Sequence, residues 1–202
     1  AQITVTTAQV DLDEMKFAFM EQLKQNDILS TFPSVKVQFN PPRTITLCGT
    51  VQDISAMKNS LSTNYACSST YIDLKNQEIF EFLRTDAGQT ELKKFISSNF
   101  QCSAAVYVTK SGNMCNLHLL SEPKYVAHIE KAADAIPAEC CSKQIPIGAL
   151  HAHFHLGDQD IAEYDELCKQ HGLVYIKTTE QEVQIIGFKH AVDKCFSSLK
   201  AF

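Results

Sequence analysis

The sequence predicts an α+β protein built from three tandem units, each a small three-stranded sheet backed by helices. Two repeated phrases carry this prediction, and the first joins a strand to a helix. It has two apolar residues with one position between them and a third five positions further on, and its copies are Val10, Leu12 and Phe17; Ile72, Leu74 and Ile79; and Phe154, Leu156 and Ile161. A spacing of two places both apolar side chains on one strand face, which the following helix can cover.

The second phrase joins a late strand to a closing helix in each unit. Its copies are Ile45, Leu47 and Gly49 before Ile54, Met57 and Leu61; Leu117, Leu119 and Ser121 before Val126, Ile129 and Ala133; and Val183, Ile185 and Gly187 before Val192, Cys195 and Leu199. The spacings agree in all three copies, although the middle copy has Ser in place of Gly. Such repetition indicates one small domain present three times. We place the units at residues 3–65, 66–143 and 144–202.

The first unit predicts the element order β-α-α-β-β-α. Asp13 is a suitable cap for a helix with apolar residues at helical spacing. We expect a break at Asn26-Asp27, followed by a short second helix. Two strands and a closing helix complete the unit at about 35–39, 44–48 and 51–61.

The later units follow the same order with one difference. In the second unit, Asp86-Ala87-Gly88 separates two helices, and a hairpin at 103–108 and 114–120 follows. In the third unit, the first helix leads through His171-Gly172 directly to a strand at 173–177. The sequence therefore predicts that the third unit is shortened by the loss of its second helix.

Composition is typical of a globular, reduced protein. Of the 202 residues, 45% are apolar and 20% are charged, and no apolar run reaches the ~20 residues of a membrane-spanning helix. The eight cysteines include no C-x-x-C pair, and several occupy apolar positions within elements. This usage favours an intracellular, cytoplasmic or nuclear protein over a disulfide-bonded secreted one. From the start without Met we expect a piece of something longer.

The order β-α-α-β-β-α resembles the type I KH domain. Tandem units with the strand ends Ile45-Thr46-Leu47-Cys48-Gly49 and Val183-Gln184-Ile185-Ile186-Gly187 also resemble, over the whole chain, the degenerate KH-like repeats of large macrodomain-containing mono-ADP-ribosyltransferases and their ubiquitin-ligase partner. The resemblance implies a parent protein that transfers ADP-ribose from NAD with a distant domain. It also implies a setting in interferon-linked innate immune signalling, in nucleus and cytoplasm.

A KH domain that binds RNA uses a G-x-x-G loop between its first two helices, because backbone without side chains can approach the sugar-phosphate chain. None of the units has this loop. The corresponding stretches are Gln25-Asn26-Asp27-Ile28, Thr85-Asp86-Ala87-Gly88 and His171-Gly172. Two of them carry an Asp where a phosphate would lie, and like charges repel.

The charge balance also disfavours nucleic acid as the partner. The chain has 18 Lys and Arg against 23 Asp and Glu, a net charge of −5, whereas nucleic-acid affinity comes largely from phosphate neutralisation. Single-stranded RNA or DNA binding stays open as the alternative function if dispersed basic residues meet in space and aromatic side chains replace the glycine loop. The candidate residues for such a groove are Lys24, Lys36, Arg43, Lys93 and Lys94.

His151, His153 and His155 alternate along one predicted strand, so they share a face, and two such imidazoles can bind one metal ion. A plainer explanation is that the intervening Ala152, Phe154 and Leu156 form the core face. No further ligand is evident nearby, so we expect no metal. A pH-sensitive contact face is the other use of this strand.

The chain shows no catalytic signature. It lacks the phosphate loop, the dinucleotide-binding glycine motif, the H-E-x-x-H motif and the G-x-S-x-G motif. Cys140-Cys141 has no neighbour that would activate a thiolate, so we expect a partly buried linker pair. For this segment we therefore expect no catalytic residue, no cofactor and no small-molecule substrate. The predicted function is a non-catalytic spacer that offers a protein-interaction or self-association surface, with exposed strand edges as the contact.

Overall fold

The computed structural model describes residues 4–112, 114–146, 175–178 and 182–201. Over these residues it confirms the predicted fold class. The chain is α+β, with three antiparallel sheets of three strands each and helices packed on them, as KH-like units require. No helix in this part of the chain is long and apolar enough to cross a membrane.

The first unit has the predicted element order. Its elements are β1 (Thr6–Asp11), α1 (Glu14–Phe19), a π-helical segment (Met20–Lys24), α2 (Gln25–Thr31), β2 (Lys36–Asn40), β3 (Thr44–Gly49) and α3 (Val51–Thr63). The strand order is β1-β3-β2, and both pairs are antiparallel. Asp13 caps α1 as predicted, because its side chain accepts a hydrogen bond from the Lys16 backbone N at 2.9 Å.

The break predicted at Asn26-Asp27 is wrong. The π-helical segment joins α1 to α2 without a loop, and both residues lie inside α2. A π turn adds a residue to the helical path and so rotates the side chains that follow it. The helix thereby redirects its apolar face without the break that the sequence predicted.

The second unit repeats the order more regularly. Its elements are β4 (Ser68–Ile72), α4 (Gln77–Leu83), α5 (Asp86–Phe100), β5 (Ala105–Ser111), β6 (Met114–Ser121), a 3-10 turn (Pro123–Tyr125) and α6 (Val126–Glu139). The strand order is β4-β6-β5, again antiparallel throughout. The predicted hairpin is therefore present as β5 and β6.

The third sheet has the order β7-β9-β8. Its elements are β7 (Cys140–Pro146), β8 (Tyr175–Thr178), β9 (Glu182–Phe188) and the helix α7 (Lys189–Ala201). The first strand of this unit was predicted at 154–156, but β7 holds the place that β1 and β4 have in their sheets. Residues 154–156 and the predicted loss of a helix lie outside the described residues.

Cys140 and Cys141 begin β7 instead of lying in a linker, so that prediction is wrong. Cys140 is opposite Phe188 and Cys141 is opposite Gly187 in the pairing with β9. The junction predicted between residues 143 and 144 therefore falls inside a strand. The pattern of β7 is a weak strand signal, because its apolar residues do not alternate with polar ones, and the strand is held by its pairing with a central strand that is buried from Val183 to Gly187.

Two hydrophobic cores lie in the described part of the chain, and each contains residues of two units. The first core is that of the first unit, with Ala105 and Leu120 added from the second sheet. The second core is that of the second unit, with Ile186 and the partly buried Phe188 added from β9. Neighbouring units therefore share an interior.

The second sheet is covered on both faces. Along β6, Leu117 and Leu119 lie in the second core, whereas Leu120 lies in the first, and all three are fully buried. The helices of its own unit cover one face, and α1 of the first unit contacts β5 and β6 on the other. We call this second face the outer face of the sheet.

Gln22, in the π-helical segment, closes part of the edge of the second sheet. Its amide nitrogen donates to the Val106 carbonyl oxygen at 2.9 Å, and its amide oxygen accepts from the Val106 backbone N at 3.0 Å. Because β5 is an edge strand, this side chain takes the place of a neighbouring strand at one residue. The first junction is therefore fixed by hydrogen bonds between a side chain and the main chain of β5 as well as by apolar contact.

Both junctions also use a carboxylate near the start of a helix. Glu14 of α1 accepts a hydrogen bond from the Tyr107 hydroxyl on β5, and Glu78 of α4 accepts one from the Gln184 amide on β9. In each case the first helix of one unit bonds to the sheet of the next. The repeat therefore extends from the units to the way they join.

Lys24 and Glu122 form an ion pair at the first junction, and Lys124 approaches the same carboxylate at 2.7 Å. Both members of the pair are largely shielded, with 18% and 26% of their side chains exposed. The hydrogen bond to Glu122 raises the pKa of Lys24. Hydrogen bonds from Lys124 and Lys24 lower the pKa of Glu122.

We predict that acid weakens this junction through Glu122. Its pKa in the folded chain lies below the unfolded value, so the stabilisation is present above the ordinary glutamate range, about pH 4.3, and is lost as the pH falls through the lowered pKa. Urea unfolding between about pH 6 and pH 3 should therefore show a smaller acid-induced loss of stability in Glu122→Gln than in the wild type.

Glu130→Gln is the matched control, because Glu130 is exposed on α6, and it should keep the wild-type dependence on pH. If stability falls equally steeply with decreasing pH in Glu122→Gln and in the wild type, the two lysines do not stabilise the ionised Glu122 carboxylate.

Candidate functional site

The position of the RNA-clamping loop is closed in the first unit. Gln25-Asn26-Asp27-Ile28 form the first turn of α2, directly after the π-helical segment. Ile28 is fully buried in the first core. These backbone amides lie in a continuous helical path, so they are not displayed as a loop that could clamp a phosphate chain.

In the second unit the corresponding loop is a tight corner between α4 and α5. The Thr85 hydroxyl donates to the Phe82 carbonyl oxygen at 2.7 Å and accepts from the Gly88 backbone N at 3.0 Å. Thr85 is thus the cap of α5, and Gly88 lies in the first turn of that helix. The amide of the only glycine in this stretch is therefore already bonded within the protein.

Gly88 is required by packing. A Cβ atom at this position would lie 2.0 Å from the Phe82 carbonyl oxygen and 2.7 Å from its carbonyl carbon. Phe82 is 1% exposed and belongs to the second core, so α4 has no free space into which to move. The glycine therefore lets two helices approach closely.

The candidate basic residues lie in different parts of the chain. Lys24 is engaged with Glu122 at the first junction. Lys36 begins β2 and is exposed, whereas exposed Arg43 lies in the turn beyond the other end of that strand, which is about 13 Å from Lys36 at the spacing of strand residues. Lys94 of α5 pairs with Glu91 at 3.8 Å, and burial lowers the pKa of its neighbour Lys93.

Four cysteines of the described segments are protonated at neutral pH. Burial raises the pKa of Cys67 to about 11 and that of Cys140 to about 12. Burial also raises the pKa of Cys102 and Cys141. A thiol is nucleophilic as the thiolate, so these four side chains are structural at neutral pH.

Two open clefts flank the ion pair of Lys24 and Glu122, with volumes of about 360 and 410 Å³. Ser97, Cys102 and Tyr125 line the first. The Ser97 hydroxyl donates to the Lys94 carbonyl oxygen at 3.0 Å, and burial keeps the pKa of Cys102 raised. Among the described residues there is no group of three or more side chains suited to a metal ion, and His151, His153 and His155 lie outside those residues.

Three aromatic side chains form one row across the outer face of the second sheet. Tyr71 of β4 is opposite His118 of β6, which is opposite Tyr107 of β5. The ring centroids of Tyr71 and His118 are 5.9 Å apart, and those of His118 and Tyr107 are 6.2 Å apart. Ser69 Oγ lies 3.3 Å from His118 Nδ1, and Tyr71 is 46% exposed. We call these three residues the aromatic row.

The sequence analysis missed the aromatic row because its members are far apart in the chain. The only sequence signal is that each of the three is next to a core residue, such as Ile72 or Leu117, and so faces away from the core. That signal becomes informative only when the strand register is known.

Comparison with known proteins gives no family. No protein-family model matches the sequence, and no curated protein matches it. Among solved structures, the chain is similar to one described as "KH domains", at 10% identity and a TM-score of 0.31, over 98% of this chain and 62% of that one.

Two further solved structures are similar to this chain. One is the ETEC pilotin–secretin AspS–GspD complex, at 11% identity, a TM-score of 0.27, and 99% and 38% coverage of the two chains. The other is Aeromonas hydrophila ExeD, at 13% identity, a TM-score of 0.24, and 99% and 41% coverage. This chain spans less than two thirds of each of the three structures. The fold assignment depends on the element order and the strand register.

We predict that Gly88→Ala is strongly destabilising. The added methyl group meets backbone atoms of Phe82, so α4 and α5 must separate and disturb the second core, at a cost of about 3 kcal/mol. Urea unfolding measures this cost. Ser98→Ala, at an exposed position of the same helix, should stay within about 0.5 kcal/mol of the wild type. Equal stability of the two variants would mean that the corner has room for a side chain.

Proposed function

We propose that this chain is a non-catalytic array of KH-like units within a larger multidomain protein, acting as a spacer and as a protein-interaction or self-association surface. The observation that carries the proposal is the shared interior of neighbouring units. Ala105 and Leu120 complete the core of the first unit, and Ile186 completes that of the second. Units that share their cores do not rotate independently, so the array holds flanking parts at a fixed separation.

The proposed parent is an NAD-dependent mono-ADP-ribosyltransferase with its catalytic domain elsewhere, acting in innate immune signalling in nucleus and cytoplasm. The support for this part is the resemblance of the repeated sequence, above all the two strand ends at Gly49 and Gly187. For the chain itself, the protonated cysteines and the packing role of Gly88 support a structural task.

The contact surfaces we propose are strand edges that the other units leave open. Gln22 already occupies the edge of β5 at Val106. By contrast, β2 is an edge strand of the first sheet and has Lys36 and Gln38 exposed. A strand from a partner or from a second copy can add to such an edge through main-chain hydrogen bonds.

Single-stranded RNA or DNA binding is the second candidate, and the aromatic row is the observation that favours it, since exposed rings can stack with bases. The engagement of Lys24 with Glu122 and the separation of Lys36 from Arg43 count against it. We therefore rank it below protein interaction.

We predict that Gln22→Ala uncouples the first two units. It leaves the Val106 N–H and carbonyl without their partners, which costs about 1–3 kcal/mol in a partly buried site. Hydrogen exchange followed by mass spectrometry reports the opening of each unit separately. In the wild type, peptides of the first and second units should lose protection together as urea rises, whereas in Gln22→Ala the first unit should open earlier.

The matched control is Gln25→Ala, which removes an exposed glutamine three positions away and should leave the units coupled. If the wild-type units open independently at different urea concentrations, the array is a string of separate domains and the spacer function is wrong.

We predict that the chain does not bind single-stranded RNA tightly. Fluorescence anisotropy with a random RNA pool at low salt should show no saturation up to about 100 µM protein, because the basic side chains are dispersed or already paired. Tight, salt-sensitive binding that Lys36→Ala and Arg43→Ala weaken, and that Lys58→Ala at an exposed position of α3 does not, would establish the alternative function instead.

A further inference from the structure

The aromatic row lies at the margin of a covered face. One row further along the same face, Leu120 is opposite Ala105, and both are fully buried by the first unit. The cover ends before Tyr71, whose side chain is 46% exposed. The aromatic row therefore runs from exposed Tyr71 to partly buried His118 and Tyr107, beside a buried row at the first junction.

The rings are held in place by the surrounding structure. Tyr107 donates its hydroxyl to Glu14, and His118 is within hydrogen-bond distance of Ser69 Oγ. Burial lowers the pKa of His118, so its ring is neutral at pH 7 and does not repel a cation. Fixed rings lose little conformational freedom when a ligand binds.

The charge beside the row is negative. Glu14 lies against Tyr107, and its hydrogen bond, with burial and the charge of Asp13 as further causes, raises the pKa of the Tyr107 hydroxyl to about 12. Lys16 is the opposing cation close by, and its charge acts on Cys67 together with that of Asp13. Glu14 and Asp13 therefore make the Tyr107 end of the row acidic.

We propose that the aromatic row, with Glu14 at its border, binds an arginine side chain presented by an extended segment of a partner protein. A guanidinium group is planar, stacks on aromatic faces and offers several donors to a carboxylate, so it matches both parts of this surface. The proposal deepens the protein-interaction function proposed above and rests on it, because it names the chemistry that the partner must carry.

A nucleobase also stacks on aromatic rings, but the phosphates attached to it would lie near Asp13 and Glu14. That charge arrangement favours a cationic ligand over an anionic one. The structure therefore distinguishes the two classes of partner by the sign of the charge at the border.

The test is a fluorescence-anisotropy titration of the full chain with a labelled Gly/Ser peptide that carries three arginines. The matched peptide has citrulline, the neutral isostere, in place of arginine, and it should bind at least about tenfold more weakly. Tyr71→Ala should weaken arginine-peptide binding about fivefold, whereas Tyr71→Phe, which keeps the ring, should bind as the wild type does.

Glu14→Gln is a second variant that leaves all three rings in place, and it should lower the affinity about threefold and reduce its dependence on salt. Val51→Ala removes an apolar side chain on α3 that is 62% exposed, and it should change nothing. Thermal unfolding of each variant shows whether the fold is kept.

Equal binding of the arginine and citrulline peptides, or full binding by Tyr71→Ala, would overturn the proposal. A single-stranded uridine 12-mer that binds more tightly than the arginine peptide, and loses affinity in Tyr71→Ala, would overturn it in favour of base stacking. The spacer function is judged separately by the coupled opening of the units, so its failure and the failure of the arginine site give different results.

Discussion

The structure depends on covering the second face of a small sheet. A three-stranded sheet of this size buries too little apolar surface with its own helices to be very stable, and its outer face adds residues such as Leu120 that need cover as well. The first helix of the preceding unit supplies that cover. The same arrangement recurs one unit later, where Ile186 of β9 enters the core of the second unit. Stability is thus a property of neighbouring pairs, as expected for repeat proteins.

Several polar contacts follow from this cover. A helix laid across a sheet meets the sheet edge, and Gln22 satisfies the edge groups of Val106 that the helix would otherwise leave unpaired. The start of each covering helix comes near the next sheet, where Glu14 accepts from a hydroxyl on the edge strand β5 and Glu78 accepts from an amide on the central strand β9. These contacts fix the angle between units, because apolar burial alone is not directional.

The loop position that clamps RNA in KH domains is closed in the first two units. In a clamping KH unit the loop between the helices is free, whereas here the first unit has a continuous helix and the second has a corner closed by Thr85 and Gly88. The covering helix leaves the margin of the outer face uncovered. In the second sheet this margin is the aromatic row, with Glu14 at its border. The contact surface that we propose therefore lies beside a junction instead of at a loop.

The sequence by itself determined the α+β class, the repeated element order and most strands, because period and spacing are local and survive in residues such as Ile45 and Leu47. It misplaced the first strand of the third sheet, because β7 has no alternating pattern of its own and is selected by its pairing with β9. It also could not assign Gly88 to packing or gather Tyr71, His118 and Tyr107 into one row. Those features need helix approach and strand register, which arise between segments distant in the chain, so only the tertiary structure decided them.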